Sequence, residues 1–101
     1  MKILAFGTSN YRNSINQQLA LYAASLFKVA TVDTLDLNDF EMPIFSLERE
    51  EKSGIPIHAH QFLQKIANAD VLVISLSEHN GTYSAAFKNI FDWTSRVTGK
   101  V

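Results

Sequence analysis

Two polar stretches hold the side chains from which a binding or reactive site can be built. The first runs Gly7-Thr8-Ser9-Asn10-Tyr11-Arg12-Asn13-Ser14-Ile15-Asn16. A glycine ends an apolar run, hydroxyls and amides fill the loop, Arg12 supplies positive charge, and helical periodicity follows. Free backbone N–H groups and the positive end of a helix dipole suit such a place to a phosphate group. Ser9, Ser14 and Asn16 would add side-chain donors, and Arg12 would pair with the anion. The same residue types equally describe a capped helix behind a polar loop, because Ser and Asn are favoured at helix starts in any case. The second stretch is Ser77-Glu78-His79-Asn80-Gly81-Thr82-Tyr83. Asn80-Gly81 alone suits a tight turn, since both residues tolerate positive φ. A glycine there also lets backbone approach a flat ligand closely, while Glu78, His79 and Asn80 offer hydrogen-bonding groups.

Other chemistries are excluded by residue type. The chain has no cysteine, which removes thiolate nucleophiles, disulfides and zinc-thiolate sites and fits a reducing cytoplasm. The first loop is neither Gly-x-Gly-x-x-Gly nor a loop ending in Gly-Lys-Ser/Thr, so the dinucleotide and nucleoside-triphosphate fingerprints are missing. A phospho-receiver domain needs acids after the first strand and an aspartate ending the third, where Thr8, Ser9 and Leu76 stand. His58 and His60, two apart at a helix start, diverge in direction and make a poor metal pair. Asn80-Gly81-Thr82 matches a glycosylation sequon; residues 1–7 do not read as a secretory signal, so the match is expected to be a coincidence. A net charge of −1 lacks the basic excess that grips nucleic acid. No apolar run approaches the roughly 20 residues that span a bilayer.

The elements that must position these loops follow from hydrophobic pattern. With 101 residues, 47% of them apolar, the chain is expected to form one domain over residues 1–101. Ile3-Leu4-Ala5-Phe6 is predicted as a strand buried on both faces. From Ser14, apolar residues at Ile15, Leu19, Tyr22, Ala23, Leu26 and Phe27 form the stripe of a predicted helix, with Ser14-Ile15-Asn16-Gln17 as its capping box. Val29 to Leu37 is predicted as a second strand over most of its length. Residues 38–56 show no sustained period and carry Pro43, Gly54 and Pro56, and from Asp36 to Lys52 six acids face two bases. They are predicted as a long acidic loop. A second helix is expected from about Pro56 to Asn68, a third strand at Val71 to Ser75, and a third helix through Phe87, Ile90, Phe91, Thr94 and Val97. This βαβαβα order implies a parallel sheet with helices on its faces. Three strands are few for such a sheet, and Thr98-Gly99-Lys100-Val101 reads as a helix stop and the start of a fourth. The chain is therefore expected to be incomplete, with an uncovered apolar edge that favours oligomerisation.

Three motifs in order give the sequence a family resemblance. Ser9-Asn10-Tyr11-Arg12-Asn13-Ser14-Ile15-Asn16 resembles the Gly-Ser-x-Arg-x-x-Ser-x-Asn phosphate loop of the NADPH-dependent FMN reductases, with the arginine-to-serine spacing shorter by one. Asp36-Leu37-Asn38-Asp39-Phe40-Glu41-Met42-Pro43-Ile44-Phe45 is similar to that family's Asp-Leu-x-Asp-Tyr-x-x-Pro-x-Tyr segment. Glu78-His79-Asn80-Gly81-Thr82-Tyr83, with Phe87-Lys88-Asn89-Ile90-Phe91-Asp92-Trp93, is similar to its Pro-Glu-Tyr-Asn-Gly-Ser-Tyr … Leu-Lys-Asn-Ala-Leu-Asp-Trp. Ser77 and His79 stand where the family has proline and tyrosine.

The resemblance implies a flavodoxin-like, doubly wound α/β fold with strand order 2-1-3 for the three βα units present, the family's C-terminal strands being absent. It implies FMN as cofactor and NADPH as reductant. Ser9, Arg12, Ser14, Ile15 and Asn16 would hold the phosphate, and Ser77, Glu78, His79, Asn80 and Gly81 would line the isoalloxazine edge. Lys88, Asn89, Asp92 and Trp93 read as helix surface, packing or subunit contact. No side chain need act as acid or base, since the flavin itself takes and passes the hydride. Electrons would go to a small-molecule acceptor, a quinone, azo dye, metal oxyanion or free flavin. The alternative is a non-catalytic fragment that serves as an oligomerising or interaction module.

Overall fold

The computed structural model describes residues 1–9, 11, 14–79 and 82–97. The expectations placed on Arg12, Asn80, Gly81 and Thr98–Val101 lie outside the described residues. The elements run β1 (Lys2–Gly7), α1 (Ile15–Ser25), β2 (Thr31–Thr34), a 3-10 helix (Leu37–Phe40), α2 (Leu47–Ser53), α3 (Ile57–Ala67), β3 (Val71–Ser75), β4 (Glu78–His79), β5 (Thr82–Tyr83) and α4 (Ala85–Thr94). The main sheet is parallel in the order β2-β1-β3, the order expected of a flavodoxin-like fold. β1 is registered Lys2↔Thr31 against β2 and Ile3↔Val71 against β3.

Because side chains alternate along a strand, central β1 feeds two cores. Leu4 and Phe6 face α3, α4 and the 3-10 helix, joining Phe40, Phe62, Ile90 and Trp93. Phe62 meets Phe6 and Phe40 edge-on, with ring centroids 6.0 and 5.4 Å away. Ile3 and Ala5 face α1, where Ala20 and Ala24 meet them with Val71 and Val73 alongside. Lys65 on α3 reaches Asp33 on β2 at 3.1 Å. The Lys65 hydrogen bond holds the Asp33 carboxyl below its ordinary range, against a smaller opposing effect of burial.

Four sequence expectations are corrected. The stripe read on α1 points outward: Ile15 is 71% exposed, Leu19 54%, Tyr22 67% and Leu26 60%, while the inward face is Ala20 and Ala24. A helix seated this close to the sheet needs small residues beneath it, so the largest apolar residues are not the buried ones. The capping box is half formed. Ser14 Oγ accepts from the Asn16 N–H at 3.1 Å, but Gln17 Oε1 takes the Gly7 N–H at 2.7 Å, and the Ser14 N–H goes to Tyr11 O. The second strand is only four residues long and exposed throughout; Leu35 and Leu37 turn into the core beyond its end.

The fourth correction concerns residues 38–56, which hold two helices in place of a loop. Asp36 Oδ1 caps the 3-10 helix through the Asn38 N–H. Ser46 Oγ caps α2 through the Arg49 N–H. Glu48 and Glu50 near the α2 start and Lys52 near its end complement the helix dipole. Gly54 stops α2 at φ 76°, ψ −170°, a conformation open to glycine almost alone.

Candidate functional site

The carboxyl ends of adjacent parallel strands, next to a helix N-terminus, are where open α/β sheets bind ligands. Here β1 and β3 end side by side, with Gly7 paired to Ser75. The loop from Gly7 into α1 and the segment from Ser75 to Ser84 therefore begin as neighbours.

Polar contacts then tie them together. Ser75 Oγ donates to Asn16 Oδ1 at 2.7 Å, and the Thr8 N–H donates to Ser75 O at 3.0 Å. The Ser77 N–H donates to Thr8 Oγ1 at 2.9 Å, and the two hydroxyls lie 3.3 Å apart. Ser84 Oγ donates to Thr8 O and accepts the Phe87 N–H, so the cap of α4 is also a tether to the first loop. Gln17 adds a third strand end: its Nε2 donates to Thr34 Oγ1 and Leu35 O while its Oε1 takes the Gly7 N–H.

Gly7 is required by close approach. A Cβ built there would lie 2.5 Å from Gln17 N and 2.7 Å from the Asn16 carbonyl carbon, inside any real contact distance. The first turn of α1 is thus pressed against the end of β1.

Each candidate residue has a definite place. Ser9 is half-buried and its Oγ accepts the Tyr11 N–H at 3.0 Å. Ser14 is buried and spends its acceptor on the helix cap. Ile15 opens α1 with an exposed side chain, so only its backbone is suited to an anion. Asn16 anchors to Ser75 through its oxygen, which orients its amide nitrogen. Ser77 is buried with its hydroxyl turned to Thr8. Glu78 and His79 form β4, paired antiparallel with Tyr83 and Thr82 of β5, so the polar loop of the sequence reading is a short hairpin. Arg12, Asn80 and Gly81 are outside the described residues.

The sequence reading did not single out Thr8, Gln17, Ser75 and Ser84 for the site. One signal was present: a polar residue, Thr8, directly after a fully buried strand needs a partner. The α4 residues read as helix surface, packing or subunit contact divide between surface and packing. Lys88 pairs with Asp92 on the same helix. Asn89 and Trp93 strap the 42–45 segment to α4. Asn89 Oδ1 takes the Phe45 N–H at 2.9 Å, and its Nδ2 donates to Met42 O and Pro43 O. Trp93 Nε1 donates to Pro43 O at 2.7 Å, with its ring 5.0 Å edge-on from Phe45.

His58 Nδ1 bonds Gln61 Oε1 at 3.0 Å and its ring stands edge-on to Phe40. Among the described residues no group of three His, Asp or Glu is placed to hold a metal ion, and no helix is long and apolar enough to cross a membrane.

Known proteins resemble this chain in sequence and in fold. The chain matches the family profile described as NADPH-dependent FMN reductase over residues 1–101. It is 36% identical over 101 residues to a 2-hydroxy-1,4-benzoquinone reductase of Burkholderia sp, covering 99% of this chain and 53% of that protein. It is 27% identical over 100 residues to an NADPH:quinone oxidoreductase of Arabidopsis thaliana, covering 95% of this chain and 50% of that one. Its structure is similar to that of FerB, a flavoenzyme NAD(P)H:(acceptor) oxidoreductase from Paracoccus denitrificans, with a TM-score of 0.72 at 20% identity, over 98% of this chain and 53% of FerB. The chain spans about half the length of these relatives.

Proposed function

The chain belongs to the NADPH-dependent FMN reductase family, and from that premise we propose that residues 1–101 are an FMN-binding unit of an NAD(P)H-dependent oxidoreductase. The observation that carries the reading is the set of side-chain bonds joining the Gly7–Asn16 loop to the Ser75–Ser84 segment at the start of α1.

The donor set fits the phosphate end of FMN. From Gly7 to Asn16 there is no acidic side chain, while hydroxyls, amides and Arg12 are supplied at a helix N-terminus. Ser9, Arg12, Ser14, the Ile15 backbone and Asn16 would hold the phosphate. Ser77, through its backbone, with Glu78, His79, Asn80 and Gly81, would lie along the ring edge. When bound, FMN supplies hydride acceptance from NAD(P)H at N5 and onward delivery of two electrons. The protein's own part is to bind, orient and shield: α1 and the loop before it fix the phosphate, and the β4–β5 hairpin fixes the ring. No side chain is assigned a proton transfer. Quinones are the acceptor class we favour, on the names of the Burkholderia and Arabidopsis relatives. In this reading the protein works in the cytoplasm.

A second reading has its own observation. β3, at the edge of the sheet among the described residues, leaves Leu72 and Ile74 partly exposed. Beside it a groove of about 340 Å³ is lined by Phe6, Phe62, Ile74, Phe87 and Phe91. Unpaired strand edges of this kind add further strands, so we propose that the chain also self-associates.

Titration of the purified chain with FMN, followed by absorbance and flavin fluorescence, tests the first reading, with size-exclusion chromatography on the same sample for the second. Saturable binding that weakens in Asn80→Ala, followed by bleaching of the bound flavin on anaerobic NADPH addition, supports the proposal. No binding refutes it for this chain, and a purely monomeric elution refutes the second reading.

A further inference from the structure

We propose that Thr8 is a positioning residue for the flavin, setting the hairpin that would face the ring against the loop that would hold the phosphate. The inference rests on the functional reading just given, and concerns a residue that, being fully buried, would touch neither end of the cofactor itself.

Thr8 stands between Gly7 and Ser9 in the first loop, yet it is 0% exposed. All its polar groups are engaged by one segment. Its N–H goes to Ser75 O, its Oγ1 takes the Ser77 N–H and meets the Ser77 hydroxyl, and its carbonyl takes the Ser84 hydroxyl. Ser77 directly precedes β4 and Ser84 directly follows β5, the two paired strands of the hairpin. One buried residue of the phosphate-side loop therefore grips both feet of the ring-side hairpin. Ser84 extends the grip into α4, whose Phe87 N–H it caps at 3.2 Å.

The hydroxyl is the part that matters. Valine has the same shape as threonine, but it would leave the buried Ser77 N–H without an acceptor, and an unpaired buried group is costly. The cost is relieved when the hairpin's first foot lifts away. If only a fraction of molecules then holds both loops in register, apparent affinity falls by that fraction. Loss of one such bond corresponds to about a tenfold weaker Kd for FMN. Serine keeps the hydroxyl and restores the bond.

The test is FMN titration of the parent chain and of Thr8→Val, Thr8→Ser and Ser84→Gly, with visible circular dichroism of the flavin at saturation. Far-ultraviolet circular dichroism and fluorescence of buried Trp93 check folding. The expected result is about tenfold weaker binding and an altered flavin dichroism in Thr8→Val, with both restored in Thr8→Ser. Equal affinity and unchanged flavin dichroism in a folded Thr8→Val overturn the proposal. Should Thr8→Val not fold, Ser84→Gly decides, because glycine is an adequate N-cap for α4 but removes the Thr8 tether. Weaker FMN binding in that variant supports the proposal, and parent-like binding overturns it. A parent chain that binds no FMN refutes instead the functional reading on which the proposal rests.

Discussion

Gly7→Ala probes the close approach on which the first loop depends. The added Cβ would meet Gln17 N at 2.5 Å and the Asn16 carbonyl carbon at 2.7 Å, both backbone atoms of the first turn of α1. A normal contact needs about 3.5 Å, so the helix start must retreat by roughly 1 Å. That retreat lengthens the Gly7 N–H bond to Gln17, now 2.7 Å, and the Ser75 bond to Asn16, also 2.7 Å. Overpacking of this kind costs about 1–3 kcal/mol. Replacing glycine also stiffens the unfolded chain, which offsets about 0.4–1 kcal/mol. The net expectation is a loss of about 1–2 kcal/mol, or a fall in Tm of roughly 5–15 °C for a chain of this size. Urea and thermal unfolding measure the loss, and FMN titration shows whether the displaced turn also weakens the cofactor. An unchanged or raised Tm would show that no steric wall stands between Gly7 and α1, and the geometry argued for the loop would fall.

Three further outcomes are expected. Gly54→Ala should cost about 1–3 kcal/mol in urea unfolding although nothing lies near its Cβ, because φ 76° with ψ −170° strains any side chain; a neutral result contradicts the strain. Asn89→Ala should lower stability by about 1–3 kcal/mol and speed amide exchange at Phe45, whose N–H it holds; unchanged exchange would show that the strap does not depend on Asn89. Asp33→Asn should cost at most about 1 kcal/mol, because the Lys65 pair is exposed. The Asp33 carboxyl titrates lower in the folded chain than in the unfolded one. Its contribution is therefore present above about pH 4 and is lost as pH falls through the folded value. A gap between parent and variant that widened below pH 4 would contradict this sign.

What the sequence disclosed was what repeats with a period. Ile3–Phe6 and Val71–Ile74 announce strands because they are continuously apolar, and Phe62, Ile66 and Ile90 announce helices because they recur at helical spacing. Two elements and one set of contacts carry no such signal or a misleading one. α2 buries no residue, so its pattern holds no apolar period, and only Ser46 at its start and Gly54 at its end mark it. α1 has a strong stripe, but the sheet accepts its alanine face, a choice set by how near the helix must sit to Gly7. The bonds of Thr8 join residues brought together by the parallel pairing of β1 with β3, and nothing local in sequence announces a partner 69 or 76 positions away. The candidate residues were legible as types in two loops. The engagement of Ser14 in a helix cap was legible from its place before Ile15-Asn16-Gln17, whereas that of the Ser77 hydroxyl with Thr8 shows only in three dimensions.

The span of the Thr8 contacts also fixes an order of events in folding. α1 and β2 close on β1 over a few tens of residues, but Thr8 meets Ser77 and Ser84 only across separations of 69 and 76. Contacts so distant in sequence form slowly, after the loop between them has been closed by other means. On a ribosome the first loop emerges long before its partners and must wait, its Thr8 hydroxyl in water, until β3 has docked. On the function proposed above, flavin binding would await the docking of β3 on β1, and flavin bound to this chain would report that the Thr8 contacts have formed.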